Sequence, residues 1–232
     1  MIDLLCPTRK RPHRVAQLLE SAERLMDPVM PVRAYFYVDD DDGETQNKTA
    51  EITERFKRVQ PVFVQGPRRC LSECWAEVYP KGSGEIVMLC GDDIVFESER
   101  WNVEVTEGLA EFPGGVGLVF GDDGISGDQH GTHPFVTRRA CEALGYFVPP
   151  LFRANFNDTW LMELYRGVGR VKFLPHVKTM HHHFIKHGEW MDETYREQQA
   201  HAREADAVWR QSEPRRKADI ERLRQWIAEN AS

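Results

Sequence analysis

Two adjacent aspartates, Asp92 and Asp93, stand where a continuous apolar run ends in a glycine (residues 86–91). A run of this length is typical of a buried strand, and a strand that ends in this way delivers both carboxylates to the edge of a sheet. Adjacent ionised carboxylates repel each other and are costly to desolvate, so such a pair lies in solvent or faces a cation. The pattern predicts either a divalent-metal site or an aspartate-rich turn between two strands.

Three other predicted strands also end in side chains that can bind anions or nucleosides. These side chains are Pro7, Thr8, Arg9 and Arg11 after residues 2–6, Asp39 and Asp40 after residues 32–38, and Arg68 after residues 61–64. Basic and hydroxyl groups ahead of a helix bind anions, and a carboxylate at a strand end accepts hydrogen bonds from a base or a ribose. The alternative for the first group is a basic, solvated turn without a ligand.

Helices alternate with these strands in residues 1–97. An amphipathic helix starts near Pro12, a weaker one covers residues 49–59, and a third begins at Leu71. This order predicts an α/β fold, in which a mixed, mainly parallel sheet carries helices on both faces. Ligands bind at the carboxyl ends of the strands in such sheets, which is where the polar side chains described above fall.

The second half of the chain is predicted to add strands and further polar groups. Its elements are a strand over 116–120 that ends in a second Gly-Asp-Asp (121–123), strands over 133–137, 171–174 and 176–183, and helices over 101–109 and 138–145. Strand alternation places His181 and His183 on one face, where two imidazoles either ligate a metal or lie in solvent. Asp158 precedes another helix, and its simplest role there is to cap the helix N-terminus.

Composition predicts an ordinary globular protein. The 232 residues are 41% hydrophobic, which suffices for the core of one domain over residues 1–190, with halves 1–97 and 98–190, and a charged helical extension over 191–232. The five cysteines lie mostly in apolar runs and are expected to be reduced core residues. We expect a cytoplasmic location, because no apolar run reaches the length of a membrane span and the N-terminus lacks the pattern of a signal peptide. The net charge of -7 disfavours non-specific coating of nucleic acid.

Taken together, residues 2–195 resemble a GT-A glycosyltransferase of the family 2 type. The motifs that carry the resemblance are Pro7-Thr8-Arg9 with Arg11-Pro12, Tyr37-Val38-Asp39-Asp40, Gly66-Pro67-Arg68-Arg69, Gly91-Asp92-Asp93, residues 133–139 with 144–147, Asn157-Asp158-Thr159-Trp160, and His181-His182-His183. They occur in the order in which the family carries its nucleotide-binding, metal-binding and acceptor segments.

The resemblance implies a metal-dependent transferase that inverts the anomeric carbon of a nucleotide-sugar, with a UDP-sugar as the expected donor. Asp158 would be the general base. The implied metal ligands are Asp92, Asp93, His181 and His183, around Mn²⁺ or Mg²⁺, and the imidazoles favour Mn²⁺. The implied donor-binding residues are Pro7, Thr8, Arg9, Arg11, Asp39, Asp40, Arg68 and Asp92.

The sequence departs from the family pattern at one point and leaves the acceptor open. Cys90 occupies the first position of the Asp-x-Asp motif. Only Asp92 and Asp93 remain, and the sequence does not decide which of them binds the ion and which contacts ribose. The small size resembles phage and bacterial enzymes, which would place the protein in a bacterial or phage-infected cytoplasm and whose acceptors range from glycans and proteins to hydroxymethylated DNA bases.

Two other classes of function are compatible with the same residues. Nucleotidyl transfer uses similar sheets and acidic metal sites, but its lysine- and glycine-rich phosphate loop is missing, since residues 7–12 contain no glycine. The second class is a non-catalytic binding module in which the aspartates lie in solvated loops and the histidines bind Zn²⁺.

Overall fold

Eight strands form one sheet in the computed structural model, which describes residues 1–183 and 191–230. The strands are β1 (Ile2–Thr8), β2 (Val32–Asp39), β3 (Val59–Gly66), β4 (Ile86–Leu89), β5 (Ile94–Phe96), β6 (Leu118–Asp122), β7 (Phe135–Thr137) and β8 (Val171–His181). The helices are α1 (Pro12–Leu25), α2 (Gly43–Gln46), α3 (Thr49–Arg55), α4 (Leu71–Val78), α5 (Trp101–Ala110), α6 (Arg138–Leu144), α7 (Asn157–Gly167), α8 (Glu193–Ala200), α9 (Ala202–Gln211) and α10 (Glu213–Asn230). The strand order is β3-β2-β1-β4-β7-β6-β8-β5.

The first four strands confirm the predicted α/β arrangement. They pair in parallel, so their carboxyl ends meet at one edge of the sheet. Alternate residues of β1 belong to different cores: Leu4 packs in the cluster under α1, and Leu5 packs with Trp75 of α4 in the other. Helices therefore cover both faces, as the strand-helix alternation predicts.

The second half of the sheet is mixed, because β7 lies antiparallel between β4 and β6. The predicted strand pieces 171–174 and 176–183 are in fact one strand, β8, which ends at His181 and leaves His183 beyond it. Pro175, the residue between the two predicted pieces, lies where the ladder between β6 and β8 shifts register, between the pairs Gly121 with Leu174 and Asp122 with Lys178. A proline is tolerated there because no ladder bond needs its missing N–H.

The short strand β5 determines where the end of β8 lies. The two strands pair antiparallel, with Ile94 opposite His181. The backbone N–H of His182 donates to the carbonyl oxygen of Asp93 at 2.8 Å. The histidine end of β8 is therefore held beside the aspartates that follow β4.

Helix α7 differs from the prediction at its first turn. Phe156, in the left-handed conformation with φ of 73°, is the N-cap residue, and Asp158 lies inside the first turn. The capping role expected for Asp158 is therefore wrong. Its carboxylate remains near the helix N-terminus, where a negative charge is favourable.

The C-terminal helices pack on the sheet domain. Leu223 of α10 is fully buried and belongs to the same core cluster as Trp160 of α7. The Nε of Arg216 donates to Glu163 at 2.8 Å, and the hydroxyl of Tyr146 donates to Asp219 at 2.7 Å. Within the two described ranges, no helix combines the length and the apolar character that a membrane crossing requires.

We expect Gly121→Ala to destabilise the protein. A Cβ atom at position 121 would lie 2.1 Å from the carbonyl oxygen of Val177. A backbone atom cannot move aside as easily as the end of a flexible side chain. The free energy of unfolding, measured by urea denaturation, should fall by about 1–3 kcal/mol or more. The control is Gly43→Ala, since a Cβ atom there meets nothing within 4 Å. Equal stabilities of the two variants would contradict the close approach of β6 and β8.

Candidate active site

A cleft of about 940 Å³ lies at the carboxyl edge of the parallel strands. Its walls include nearly all of the predicted site residues, namely Pro7, Thr8, Arg9, Arg11, Asp39, Arg68, Asp92, Asp93, Asp158, His181 and His183. Asp40 is outside this set and is exposed. The fold thus brings together side chains that are up to 176 positions apart, from Pro7 to His183.

The carboxylate of Asp92 is buried and compensated by a cation of the protein. It accepts hydrogen bonds from the Thr8 hydroxyl at 2.7 Å and from Nη1 of Arg11 at 3.0 Å. Burial raises the pKa of Asp92, and the guanidinium of Arg11 opposes this effect. Arg11 also donates twice to Asp192, from Nε and Nη2, at 2.6 Å each. Asp92 is therefore fixed by the turn between β1 and α1.

The adjacent carboxylate of Asp93 faces histidines instead. Its oxygens lie 3.5 Å from Nε2 of His181 and 3.9 Å from Nε2 of His133, and it accepts a short hydrogen bond from the Tyr195 hydroxyl. One potential ligand atom from each of Asp93, His133 and His181 lies within 4.8 Å of the others. One carboxylate and two imidazoles form a ligand set that suits Mn²⁺, Zn²⁺ or another first-row ion.

The titration of this group reflects the competition between burial and charge. Burial disfavours a charged His181, but the carboxylates of Asp123 and Asp93 outweigh it and raise the pKa of His181 to about 9. Burial and the charge on His181 lower the pKa of His133 to about 4. Burial would raise the pKa of Asp93, yet the two imidazoles and Tyr195 hold it well below its usual range. A protonated His181 thus supplies the positive charge that a bound metal ion would replace.

A glycine keeps this cluster compact. A Cβ atom on Gly91 would lie 2.5 Å from Oδ1 of Asp93 and 2.9 Å from Nε2 of His133. A side chain at position 91 would therefore displace one or both of these ligand atoms.

Several residues of the site were not assigned a role by the sequence. His133 precedes β7, Tyr195 comes from α8, and Asp123 belongs to the second Gly-Asp-Asp. The repeated Gly-Asp-Asp at a strand end was a usable signal for Asp123, whereas a single histidine and a single tyrosine carry none. Among the predicted ligands, Asp92 and His183 lie outside the compact group. The ring centroid of His183 is 5.1 Å from that of His181.

Basic side chains that line the cleft are paired with carboxylates of the protein. Nη1 of Arg9 contacts Asp39 at 2.8 Å, and Arg68 forms an ion pair with Glu197 of α8. Arg9 and Arg11 directly precede α1, whose first turn carries Pro12. An anionic ligand there would exchange protein carboxylates for its own oxygens.

Asp158 lies in the same cleft and is about a quarter exposed. Its Oδ1 accepts a hydrogen bond from the backbone N–H of Thr159 at 2.8 Å, and its Oδ2 lies 2.8 Å from Nε2 of His130. A carboxylate that is held in place and still reaches solvent can accept a proton from a bound hydroxyl.

Comparisons with known proteins connect the fold to a class of enzymes. The sequence has no significant match among protein-family models or among curated proteins. The structure resembles the mannosyltransferase PcManGT from Pyrobaculum calidifontis, solved with GDP-Man and Mn²⁺, at a TM-score of 0.62 and 14% identity over 100% of this chain and 76% of that one.

Two further solved structures have the same fold. TarS from S. aureus superposes with a TM-score of 0.61 and 10% identity over 77% of this chain and 36% of that one. GalNAc-T7, solved with UDP, GalNAc and Mn²⁺, superposes with a TM-score of 0.62 and 9% identity over 78% of this chain and 43% of that one. The chain thus spans less than half of these two. All three neighbours are GT-A-type glycosyltransferases, and the chain has the GT-A fold.

We expect Asp123→Asn to weaken divalent-metal binding by the Asp93-His133-His181 group. Oδ2 of Asp123 lies 3.6 Å from Nδ1 of His181, so the carboxylate favours the orientation that turns Nε2 toward Asp93. Loss of such a partner typically lowers metal affinity about 10–100-fold. Isothermal titration with Mn²⁺ measures the effect, and Asp122→Asn in the same strand end is the control. Equal affinities of the two variants would show that Asp123 does not orient His181.

Proposed function

We propose that the protein is a metal-dependent, inverting glycosyltransferase that transfers a sugar from a UDP-sugar to an acceptor hydroxyl. The observation that carries this proposal is the joint placement in one cleft of the Asp93-His133-His181 group, the arginines near α1 and the carboxylate of Asp158. The GT-A fold supports it, as do structures of neighbours with UDP or with Mn²⁺.

The donor half of the cleft would hold the leaving nucleotide. A divalent ion on Asp93, His133 and His181 would supply charge stabilisation to the diphosphate as the glycosidic bond breaks. Arg9, Arg11 and Arg68 would donate hydrogen bonds to its oxygens, and Asp39 is placed to accept from the base or ribose. In this proposal Asp93 binds the ion, and Asp92, already held by Thr8 and Arg11, shapes the donor site beside it.

The nature of the ligands favours Mn²⁺ over Mg²⁺. Magnesium prefers an octahedral shell of oxygen atoms, whereas two imidazole nitrogens and one carboxylate suit a softer first-row ion. The same ligand set also binds Zn²⁺, so metal content has to be measured rather than inferred from activity with added Mn²⁺.

Asp158 would act as the general base. The acceptor oxygen attacks the anomeric carbon while its proton passes to the Asp158 carboxylate, and the electron pair of the breaking bond leaves with the diphosphate. A single displacement of this kind inverts the configuration of the sugar. The sugar expected to be transferred is a hexose. The acceptor classes to test are glycans, proteins and hydroxymethylated DNA.

The first experiment is a donor screen. Purified protein is incubated with Mn²⁺, a panel of UDP- and GDP-sugars and each acceptor class, and released nucleotide and product are detected by mass spectrometry. A product with one donor would support the proposal and name the sugar. Tightly bound Zn²⁺ without nucleotide binding would favour the non-catalytic module instead.

We expect Asp158→Asn to fold normally and to lose sugar transfer. The variant keeps the shape of the side chain but cannot take the proton, and loss of a general base costs about 10²–10⁴-fold in turnover. Its melting temperature and its affinity for UDP with Mn²⁺ should stay near those of the original protein. Asp206→Asn, at an exposed position of α9, is the matched control. Near-normal turnover of Asp158→Asn would remove Asp158 from the base role.

We also expect UDP with Mn²⁺ to raise the melting temperature, because a ligand that binds only the folded state stabilises it. At a ligand concentration 100 times Kd, the free energy of unfolding rises by about 2.7 kcal/mol. Differential scanning fluorimetry should show the increase, and a chelator or His181→Ala should abolish its metal-dependent part. His176→Ala, at an exposed position of β8, is the control. Absence of a shift at saturating ligand would count against the donor site.

A further inference from the structure

The contact with His130 gives the Asp158 carboxylate a second hydrogen-bond partner, in addition to Thr159. Nε2 of His130 lies 2.8 Å from Oδ2 of Asp158, while the backbone N–H of Thr159 donates to Oδ1 at 2.8 Å. Each carboxylate oxygen is therefore held by a different donor when His130 carries its proton on Nε2. Each oxygen also has a second lone pair, which leaves the carboxylate able to accept a proton from an acceptor hydroxyl.

The segment that carries His130 is anchored on both sides. At its start, the carboxylate of Asp123 accepts hydrogen bonds from the backbone N–H groups of Ile125 and Ser126, at 2.9 and 2.7 Å. At its end, the hydroxyl of Thr132 donates to the same carboxylate at 2.8 Å. Nη2 of Arg166 donates to the carbonyl oxygen of Gln129 at 2.6 Å, which ties the segment to α7. These bonds place the imidazole beside the first turn of α7.

The same segment reaches the proposed metal group. Asp123 lies beside His181, and His133 is itself a member of the group. His130 is outside the walls of the cleft, so it acts on the reaction only through Asp158. A simple surface ion pair is the competing explanation, since both side chains are about a quarter exposed and such pairs contribute only about 0–1 kcal/mol to stability.

We propose that His130 is a positioning residue that holds the Asp158 carboxylate toward the acceptor, an inference that rests on the proposed base role of Asp158. The Asp158 side chain has few anchors of its own, because both Oδ1 partners, the backbone N–H and the more distant hydroxyl at 3.4 Å, belong to the next residue, Thr159. The bond to Oδ2 fixes the second oxygen and so the plane of the carboxylate. A misplacement of about 1 Å costs roughly 10²-fold in rate, so this bond matters more for turnover than for stability.

The test compares His130→Ala with His130→Gln. The amide of glutamine keeps an N–H donor at nearly the reach of Nε2 but cannot titrate. We expect His130→Ala to lower kcat by about 10²-fold with the KM for the donor unchanged, and His130→Gln to retain most of kcat. His176→Ala is the matched control at an exposed histidine. Melting temperatures and Mn²⁺ affinities of all variants check the fold.

Two kinetic results would overturn the inference. One is a kcat for His130→Ala equal to that of the original protein, and the other is an equal loss in the alanine and glutamine variants. Crystal structures give a readout that needs no activity: Asp158 should keep its rotamer in His130→Gln and leave it in His130→Ala. An unmoved Asp158 in the alanine variant would refute positioning, whereas the absence of transfer by the original protein would refute the proposed function alone.

Discussion

Two adjacent buried carboxylates constrain this structure more than any other feature. Asp92 and Asp93 are 5% and 9% exposed, and an uncompensated charge at such positions costs several kcal/mol. Each has a different partner: Arg11 compensates Asp92, and the imidazoles of His181 and His133 face Asp93. The pair is stable because the chain supplies two separate sources of positive charge, Arg11 for Asp92 and His181 for Asp93.

The partners come from elements that are far apart in the sequence, so the sheet has to be mixed to assemble them. A parallel sheet alone would bring together the ends of β1, β2, β3 and β4. The antiparallel strand β7 follows His133, and the pairing of β5 with the end of β8 places His181 beside Asp93. Strand β8 pairs with β6 up to Lys178 and with β5 over its last three residues, Thr179 to His181. The helix α8 then adds Tyr195 to the same carboxylate.

Much of the fold is predictable from local patterns. Apolar spacing of three and four residues in α1 and short apolar runs in β1, β2 and β4 predict the alternation that makes the parallel half, and the structure confirms it. Positions at strand ends follow from the same patterns, which is why Thr8, Asp39 and Asp92 were expected at one edge. Local patterns were less reliable in β8, which was predicted as two pieces but continues through the register shift at Pro175, and at Phe156, which caps α7 in place of Asp158.

The sequence by itself determined which residue types reach the carboxyl edge of the sheet, because periodicity and strand ends are local properties. Only the tertiary structure decided that Arg11 pairs with Asp92, that His133 and His181 face Asp93, and that His130 contacts Asp158. These contacts join residues 28 to 88 positions apart. Their choice depends on strand pairing and on the need to compensate each buried charge, and neither of these is encoded in the spacing of neighbouring residues.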